Sequence, residues 1–354
     1  MKLLDIRVGP DAQSLLQRRG LNCDDVDLII GASGGPKWLV LAGLDSWLID
    51  HFLPTRTRST ALPLLGSSIG SWRMACLASP QPRAARDRLL SAYIDQRYSV
   101  KPTPAEVSAE CRRLLTTLVD EGGAADILNN PTRQLHVLVT AVHSALAAVG
   151  RHRLMVGLAV GGLRNLVSAR WIGRHFKRVV FHSGTEPTEL HAWRYHTTAY
   201  VRMTRDTLGE VLLASSSIPL LLAPVHLPEV SQQSLFDGGI LDYHPLVDSA
   251  RSSGLVLYPH FFPRLVPGWF DKALRWRHSP AAALRRTVLI SPSAEWVATL
   301  PGGRIPDRTD FVQMTPSERQ SRWCRIVAES ARLGDAMHEL VQGGEIAAHT
   351  RPFE

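Results

Sequence analysis

Ala61-Leu-Pro-Leu-Leu-Gly-Ser-Ser-Ile-Gly70-Ser-Trp-Arg-Met-Ala-Cys-Leu-Ala78 is the stretch that decides the fold. Ala61 to Leu65 reads as a buried strand, Gly66 to Gly70 as a tight turn, and Ser71 to Ala78 as the first turns of a helix that Pro80 and Pro82 interrupt. The turn fits G-x-S-x-G with Ser68 at its centre. Small residues around a serine let strand and helix backbones approach closely. The hydroxyl then stands at the carboxyl edge of a sheet, near the positive end of a helix, where a nucleophile is useful.

The same grammar occurs upstream. Val26 to Ile30 is a short apolar run, Gly31-Ala-Ser-Gly-Gly35 again satisfies G-x-S-x-G, and Pro36 to Phe52 has apolar residues at helical spacing. Two such turns suggest a division of labour, because acyl transfer needs both an attacking serine and backbone N–H groups aimed at the developing oxyanion. Ser33-Gly34-Gly35-Pro36 suits donation, since adjacent glycines free the backbone and Pro36 opens a helix whose N-terminus faces the site. A phosphate-binding G-x-x-x-x-G-K-[ST] loop would need Gly at Pro36 and Ser or Thr at Trp38, and fails at both.

A third element is Asp237-Gly-Gly239, which follows the apolar Leu235-Phe236. Alone it is an ordinary turn sequence. Its company matters more: Leu213-Ala-Ser-Ser-Ser-Ile-Pro219 and Pro224 precede it, and Pro245 follows. A Gly-rich loop with a basic residue, a serine elbow, A-S-x-x-x-P and D-G-G, in that order, resemble the patatin-like phospholipases. The resemblance covers Val26 to Ala78 and Thr197 to Pro245, with Gln134 to Glu186 compatible as connecting strands, and ends near Leu246. It implies a three-layer α/β fold and a Ser–Asp dyad without catalytic histidine, mapped here to Ser68 as nucleophile and Asp237 as base. It also implies an oxyanion loop at Ser33, Gly34 and Gly35, and a basic contact at Lys37. The chain departs from the family where S-G-G-P-K-W replaces G-G-G-x-R/K-G and where Tyr243 stands in place of Asn.

The rest of the chain alternates strands and helices. Leu135 to Val142, Leu154 to Val160, Val179 to His182, Ala199 to Met203, Gly254 to Tyr258 and Thr287 to Ser291 read as strands. Arg83 to Tyr98, Glu106 to Val119 and Asp206 to Leu213 read as helices. Thr103-Pro-Ala-Glu106 and Thr315-Pro-Ser-Glu318 are capping boxes, and the second opens a long helix with Trp323, Ile326, Met337 and Leu340 on one face. The expected architecture is therefore α/β, a central mostly parallel sheet flanked by helices, with a helical C-terminal extension. Residues 1–250 form the catalytic core, and 251–354 complete the sheet and add helices.

Composition bounds the function. In 354 residues, 45% apolar and 20% charged content describe a folded chain, and a formal charge of +8 favours anionic partners. No recognisable nucleic-acid module accompanies that charge, so nucleic acid is not expected. Cys23, Cys76, Cys111 and Cys324 form neither C-x-x-C pairs nor a cluster, which argues for a reducing compartment. Asp5 and Arg7 break the opening apolar stretch, so no secretory signal is expected, and prolines interrupt the apolar run Val211 to Pro228. A cytoplasmic protein, at most peripheral to a membrane, follows. His182, His191 and His196 match no familiar ligand spacing, so neither metal nor other cofactor is expected. Arg264 to Arg286 combines Trp269, Phe270 and Trp276 with basic residues, a composition suited to an anionic membrane surface.

The reading is a serine hydrolase of lipid or similar carboxylic esters. Two rivals differ from it: a Ser-His-Asp hydrolase using His244, His260 or His338, and a non-catalytic protein that binds anionic lipid on the same scaffold.

Overall fold

The computed structural model describes residues 1–119, 123–142, 150–173, 175–188, 190, 196–228 and 233–353. Among these described residues ten strands form one sheet: β1 (Leu4–Val8), β2 (Val26–Gly31), β3 (Leu62–Ser67), β4 (Arg133–Val142), β5 (Phe176–His182), β6 (Thr198–Arg202), β7 (Ser234–Asp237), β8 (Leu255–Pro259), β9 (Thr287–Pro292) and β10 (Thr350–Pro352). Their order is β10-β1-β9-β8-β2-β3-β4-β5-β6, and β7 pairs with β4. The central β9-β8-β2-β3-β4 run is parallel, while β1–β9, β4–β5 and β4–β7 are antiparallel. The sheet is mostly parallel and flanked by helices, as the alternation predicts.

The central strands β2 and β3 are almost wholly buried, which is why they read as continuous apolar runs. The C-terminal residues supply β8, β9 and β10, and the long helix Pro316–Gln342 lies against the helix Ala42–Trp47. That approach depends on Gly43, where an added Cβ would lie 1.8 Å from the Ser330 carbonyl oxygen. Thr315 and Glu318 form the predicted capping box at the start of the long helix. At Pro104–Leu118 only half of the predicted box exists: Thr103 caps the Glu106 amide, but the Glu106 carboxylate turns to Ser99.

One strand assignment is corrected. Leu154 to Val160 lies within a helix, Gly150–Val167. Both edges of β4 are already occupied, one by β5 and the other by β3 and β7, so this run has no vacant place beside β4. As a helix it buries Leu158 among Ile172, Phe176, Phe236 and Ile240. Gly161 permits the contact, since a Cβ there would meet the Phe176 ring at 2.8 Å. The segment Pro36–Phe52 is helical as expected, but wound successively as 3-10, α and π turns. The edge strand β10 and its neighbour β1 are additional to the predicted set.

Candidate active site

The sheet register brings the site together. β3 pairs with β4 as far as Ser67 opposite Leu138, and β7 takes over the same edge with Asp237 opposite Val139. β3 runs parallel and β7 antiparallel to β4, so their carboxyl ends abut, and each places its next functional group at the junction. Ser68 follows β3 in a left-handed conformation (φ 53°, ψ −132°) and precedes the helix Ile69–Ala78. A non-glycine residue there is strained. The strain is held by neighbours: Ser215 Oγ accepts from the Ser68 amide at 2.9 Å and donates to the Leu138 carbonyl at 2.7 Å. The Ser68 carbonyl in turn accepts from the Ser71 amide at 2.8 Å and its hydroxyl at 2.6 Å. The glycines of the elbow serve close approach, because a Cβ at Gly66 would lie 2.3 Å from Ser71 Cα and one at Gly70 would lie 2.2 Å from the Gly31 carbonyl oxygen.

Ser68 Oγ donates to Asp237 Oδ2 at 2.8 Å, and Asp237 Oδ1 accepts from the Gly239 amide at 2.6 Å. Both residues are nearly enclosed, at 3% and 5% exposure. Burial pushes the Asp237 carboxyl above its ordinary value. The Gly239 amide, the Arg308 guanidinium and the Ser68 hydroxyl oppose this without cancelling it. A carboxylate of raised basicity beside a serine hydroxyl is suited to accept its proton. The turn after Asp237 is fixed by a buried ion pair, Arg178 on β5 with Asp242 at 2.6 and 2.7 Å.

The predicted oxyanion loop lies beside the elbow, with Ser33 Oγ 3.1 Å from Ser67 Oγ. The Ser33 amide, however, donates to the Tyr243 carbonyl at 2.9 Å and is therefore committed. Gly34 and Gly35 open the 3-10 helix Gly35–Leu41, where the first N–H groups have no intrahelical acceptor. Gly35 has φ +55°, which favours glycine, and its open Cα face lies against the Arg308 side chain. Lys37 forms an ion pair with Asp307.

An apolar cavity of about 340 Å³ opens at Ser68, lined by Trp72, Val107, Cys111, Leu114, Leu222 and Phe311 among others. A small recess adjoins it at Asp237, bordered by Ser33, Tyr243, Lys272 and Arg308 and by the apolar Ile240 and Trp269. Arg308 and Ile218 border both. Sequence reasoning missed Ser215, Lys272 and Arg308. Ser215 stood within the quoted A-S-x-x-x-P segment, so its place in the motif was the available signal. The two cations sit in no motif.

The rival histidines are placed elsewhere. His244 Nδ1 accepts from the Val266 amide at 2.8 Å, and His260 Nδ1 from the Phe262 amide at 2.9 Å. Burial depresses both rings, His260 to about 3. His338 packs against His51. Among the described residues no histidine hydrogen-bonds to Ser68 or Asp237. His182 hydrogen-bonds to the Gly184 carbonyl, His196 is buried, and His191 lies outside the described residues. Within Arg264–Arg286, Trp269 and Phe270 are half-buried, while Trp276 projects at 75% exposure. Among the described residues no helix is long and apolar enough to cross a membrane.

A sheet whose strand ends join a serine elbow to an aspartate turn defines a class of α/β protein. Within that class, the model of the family described as patatin-like phospholipase matches residues 62–249, more than half of the sequence, and the chain belongs to that family. The match begins after the glycine loop and ends before Lys272 and Arg308. Among solved structures, human GIVD cytosolic phospholipase A2 is similar at 12% identity and a TM-score of 0.37, over 95% of this chain and 63% of that one. The type III effector protein ExoU is similar at 14% identity and a TM-score of 0.27, over 89% and 53%. This chain thus spans less than two thirds of the length of either. No curated protein matches it.

Proposed function

We propose that this protein is a serine acyl hydrolase that cleaves carboxylic esters of lipids through a Ser68–Asp237 dyad and an acyl-enzyme. The observation that carries the reading is the 2.8 Å hydrogen bond from a serine held at positive φ to a buried, unusually basic aspartate. Family membership supports the lipid class, and the apolar cavity at Ser68 offers room for an acyl chain.

Ser68 Oγ attacks the ester carbonyl while Asp237 takes its proton. The tetrahedral oxyanion is met by the amides of Gly34 and Gly35, with the positive end of the elbow helix adding to the field. As the carbon–oxygen bond to the alcohol breaks, Asp237 returns the proton to the leaving oxygen. Water then attacks the acyl-enzyme with Asp237 again as base, and the carboxylic acid departs from Ser68. Lys37, expected as a basic contact, serves through Asp307 to tether the glycine loop to the C-terminal part of the chain.

The test is labelling with a fluorophosphonate, peptide mapping, and comparison of wild type with Ser68→Ala on p-nitrophenyl butyrate and a longer acyl ester. Label on Ser68 and loss of hydrolysis with an unchanged circular dichroism spectrum are expected. Undiminished hydrolysis by Ser68→Ala would overturn the reading.

A further inference from the structure

The helix Gly150–Val167 is apolar on both of its faces. Its inner face places Leu158 in the cluster with Phe176, Phe236 and Ile240. Its outer face, where a surface helix ordinarily carries its charges, holds Met155, Val156, Leu163, Leu166 and Val167, each 46–68% exposed. At 3.6 residues per turn these five fall within a sector of about 120°. Trp171 follows on the short helix Ala169–Ile172 and is exposed as well. Single exposed apolar residues are ordinary, whereas a contiguous face of this kind marks a contact surface.

Charge narrows the partner. No Asp or Glu occurs between Asp126 and Glu186, while Arg151, Arg153, Arg164 and Arg170 lie on the helix or just after it. The exposed Arg275 and Trp276 are brought to its C-terminal end, because the adjacent Arg277 donates to the Leu166 carbonyl at 3.3 Å and Asn165 donates to Asp271 at 2.8 Å. Asp271 is fully buried in these contacts and adds no negative charge to the surface. Apolar side chains accompanied by arginines and tryptophans complement a bilayer with anionic headgroups: the chains enter the acyl boundary, the indoles sit at headgroup depth and the cations meet phosphate and carboxylate groups. A second copy of the chain complements this face poorly, since two-fold pairing sets a patch against itself and brings its like charges together.

We propose that the outer face of Gly150–Val167, with Trp171 and Trp276 at its end, docks this protein on an anionic lipid bilayer. From residues 264–286 the face recruits Arg275 and Trp276. It adjoins the acyl cavity through the turn at residues 218–222. Leu220, held at φ 71°, packs against the cluster that contains Leu158 and Ile240, and Leu221 beside it lines the cavity while remaining 41% exposed. Docking therefore sets the cavity beside the bilayer, so that an acyl chain passes from lipid to Ser68 with little exposure to water. That consequence rests on the hydrolase reading, whereas the docking face stands on its own residues.

The experiment measures co-sedimentation of the full chain, carrying Ser68→Ala to prevent lipid turnover, with vesicles of phosphatidylcholine alone or with about one third phosphatidylserine. Partitioning onto the mixed vesicles is expected to be about tenfold or more stronger than onto phosphatidylcholine, and to weaken as salt is raised. Leu163→Gln combined with Leu166→Gln, at exposed positions whose change should leave the melting temperature unaltered, should lower it by about tenfold or more. Arg275→Gln, on a different segment, should lower it by about fivefold. Arg325→Gln, which removes an exposed charge from the long helix, should leave it unchanged. Equal binding to both kinds of vesicle, or binding that survives the double leucine variant, would defeat the proposal. So would a dimer in sedimentation equilibrium that the double variant splits while vesicle binding persists, because the face would then join two copies of the chain. The two readings fail separately: a wild type inert toward every ester yet bound to mixed vesicles sinks the hydrolase and leaves the docking face standing, and hydrolysis of p-nitrophenyl butyrate without vesicle binding does the reverse.

Discussion

Ser68 and Asp237 meet because β3 and β7 abut end to end along one edge of β4, Ser67 opposite Leu138 and Asp237 opposite Val139, which leaves Ser68 Oγ 2.8 Å from Asp237 Oδ2. The distance is therefore set by sheet register. A site carried on strand ends keeps its geometry better than one carried on free loops.

That geometry makes Asp237 costly to the fold. A carboxyl whose pKa is raised on folding binds its proton more tightly in the native than in the unfolded chain. Its contribution to stability is greatest when both states are protonated and falls as pH rises through the ordinary carboxylate range toward the raised native value. Asp237→Asn should therefore raise the neutral-pH melting temperature by on the order of 2 °C while abolishing hydrolysis. The stability gap should close near pH 4, the ordinary range. Urea titrations of both proteins at acidic and neutral pH check this, and a destabilised Asn variant at neutral pH would contradict it. In wild type, kcat/KM should rise with pH through a group titrating above the usual range for aspartate.

The two serine turns should respond in opposite ways. Ser33 contributes its backbone to the Tyr243 carbonyl and its hydroxyl to Ser67, neither at the reacting atoms. Ser33→Gly should retain activity within about tenfold, since losing a neutral hydrogen bond costs about 1 kcal/mol. Ser68→Gly removes the attacking oxygen and should lower kcat by several orders of magnitude. Probe labelling abolished by Ser33→Gly and intact in Ser68→Gly would reverse the assignment of the loops.

The elbow also tolerates no added methyl. A Cβ at Gly70 would stand 2.2 Å from the Gly31 carbonyl oxygen and 2.7 Å from that of Ala32, both backbone atoms with no rotamer to change. Gly70→Ala should cost about 2–3 kcal/mol in urea denaturation and displace the glycine loop, lowering kcat as well. A stability within about 0.5 kcal/mol of wild type would show that the two turns part more easily than this packing implies.

Much of this was legible in local sequence. β2, β3 and their glycine turns are buried runs followed by punctuation, and such patterns are read within a dozen residues. Asp237 was found through the order of motifs, although its pairing with Ser68 depends on β4, to which neither motif belongs. Leu154 to Val160 misled because a short apolar run rich in leucine and valine has no decisive period, and the occupied edges of β4 are a tertiary fact. β1 and β10 pair across more than three hundred residues, and β10 is three residues long. Arg308 escaped for the same reason: its meaning lies in its contact with Gly35 and in its place beside Asp237.

The acyl cavity gives the last prediction. Cys111 lines it from the helix Pro104–Leu118, together with Phe311 and Leu222, and burial pushes its thiol up to about 12, so no thiolate chemistry is lost by replacing it. Cys111→Phe would fill part of the roughly 340 Å³ without touching Ser68, Asp237 or the glycine loop. A ring placed there competes with the distal carbons of a long chain and leaves a short one undisturbed. Each methylene excluded from an apolar pocket is worth about 1–3 kcal/mol. The ratio of kcat/KM for a dodecanoyl over a butyryl ester should therefore fall by about tenfold or more, with the butyryl rate little changed. An unchanged ratio would mean that the acyl chain takes a different path out of the site, and a fall for both esters alike would point to distortion of the elbow rather than to a shortened pocket.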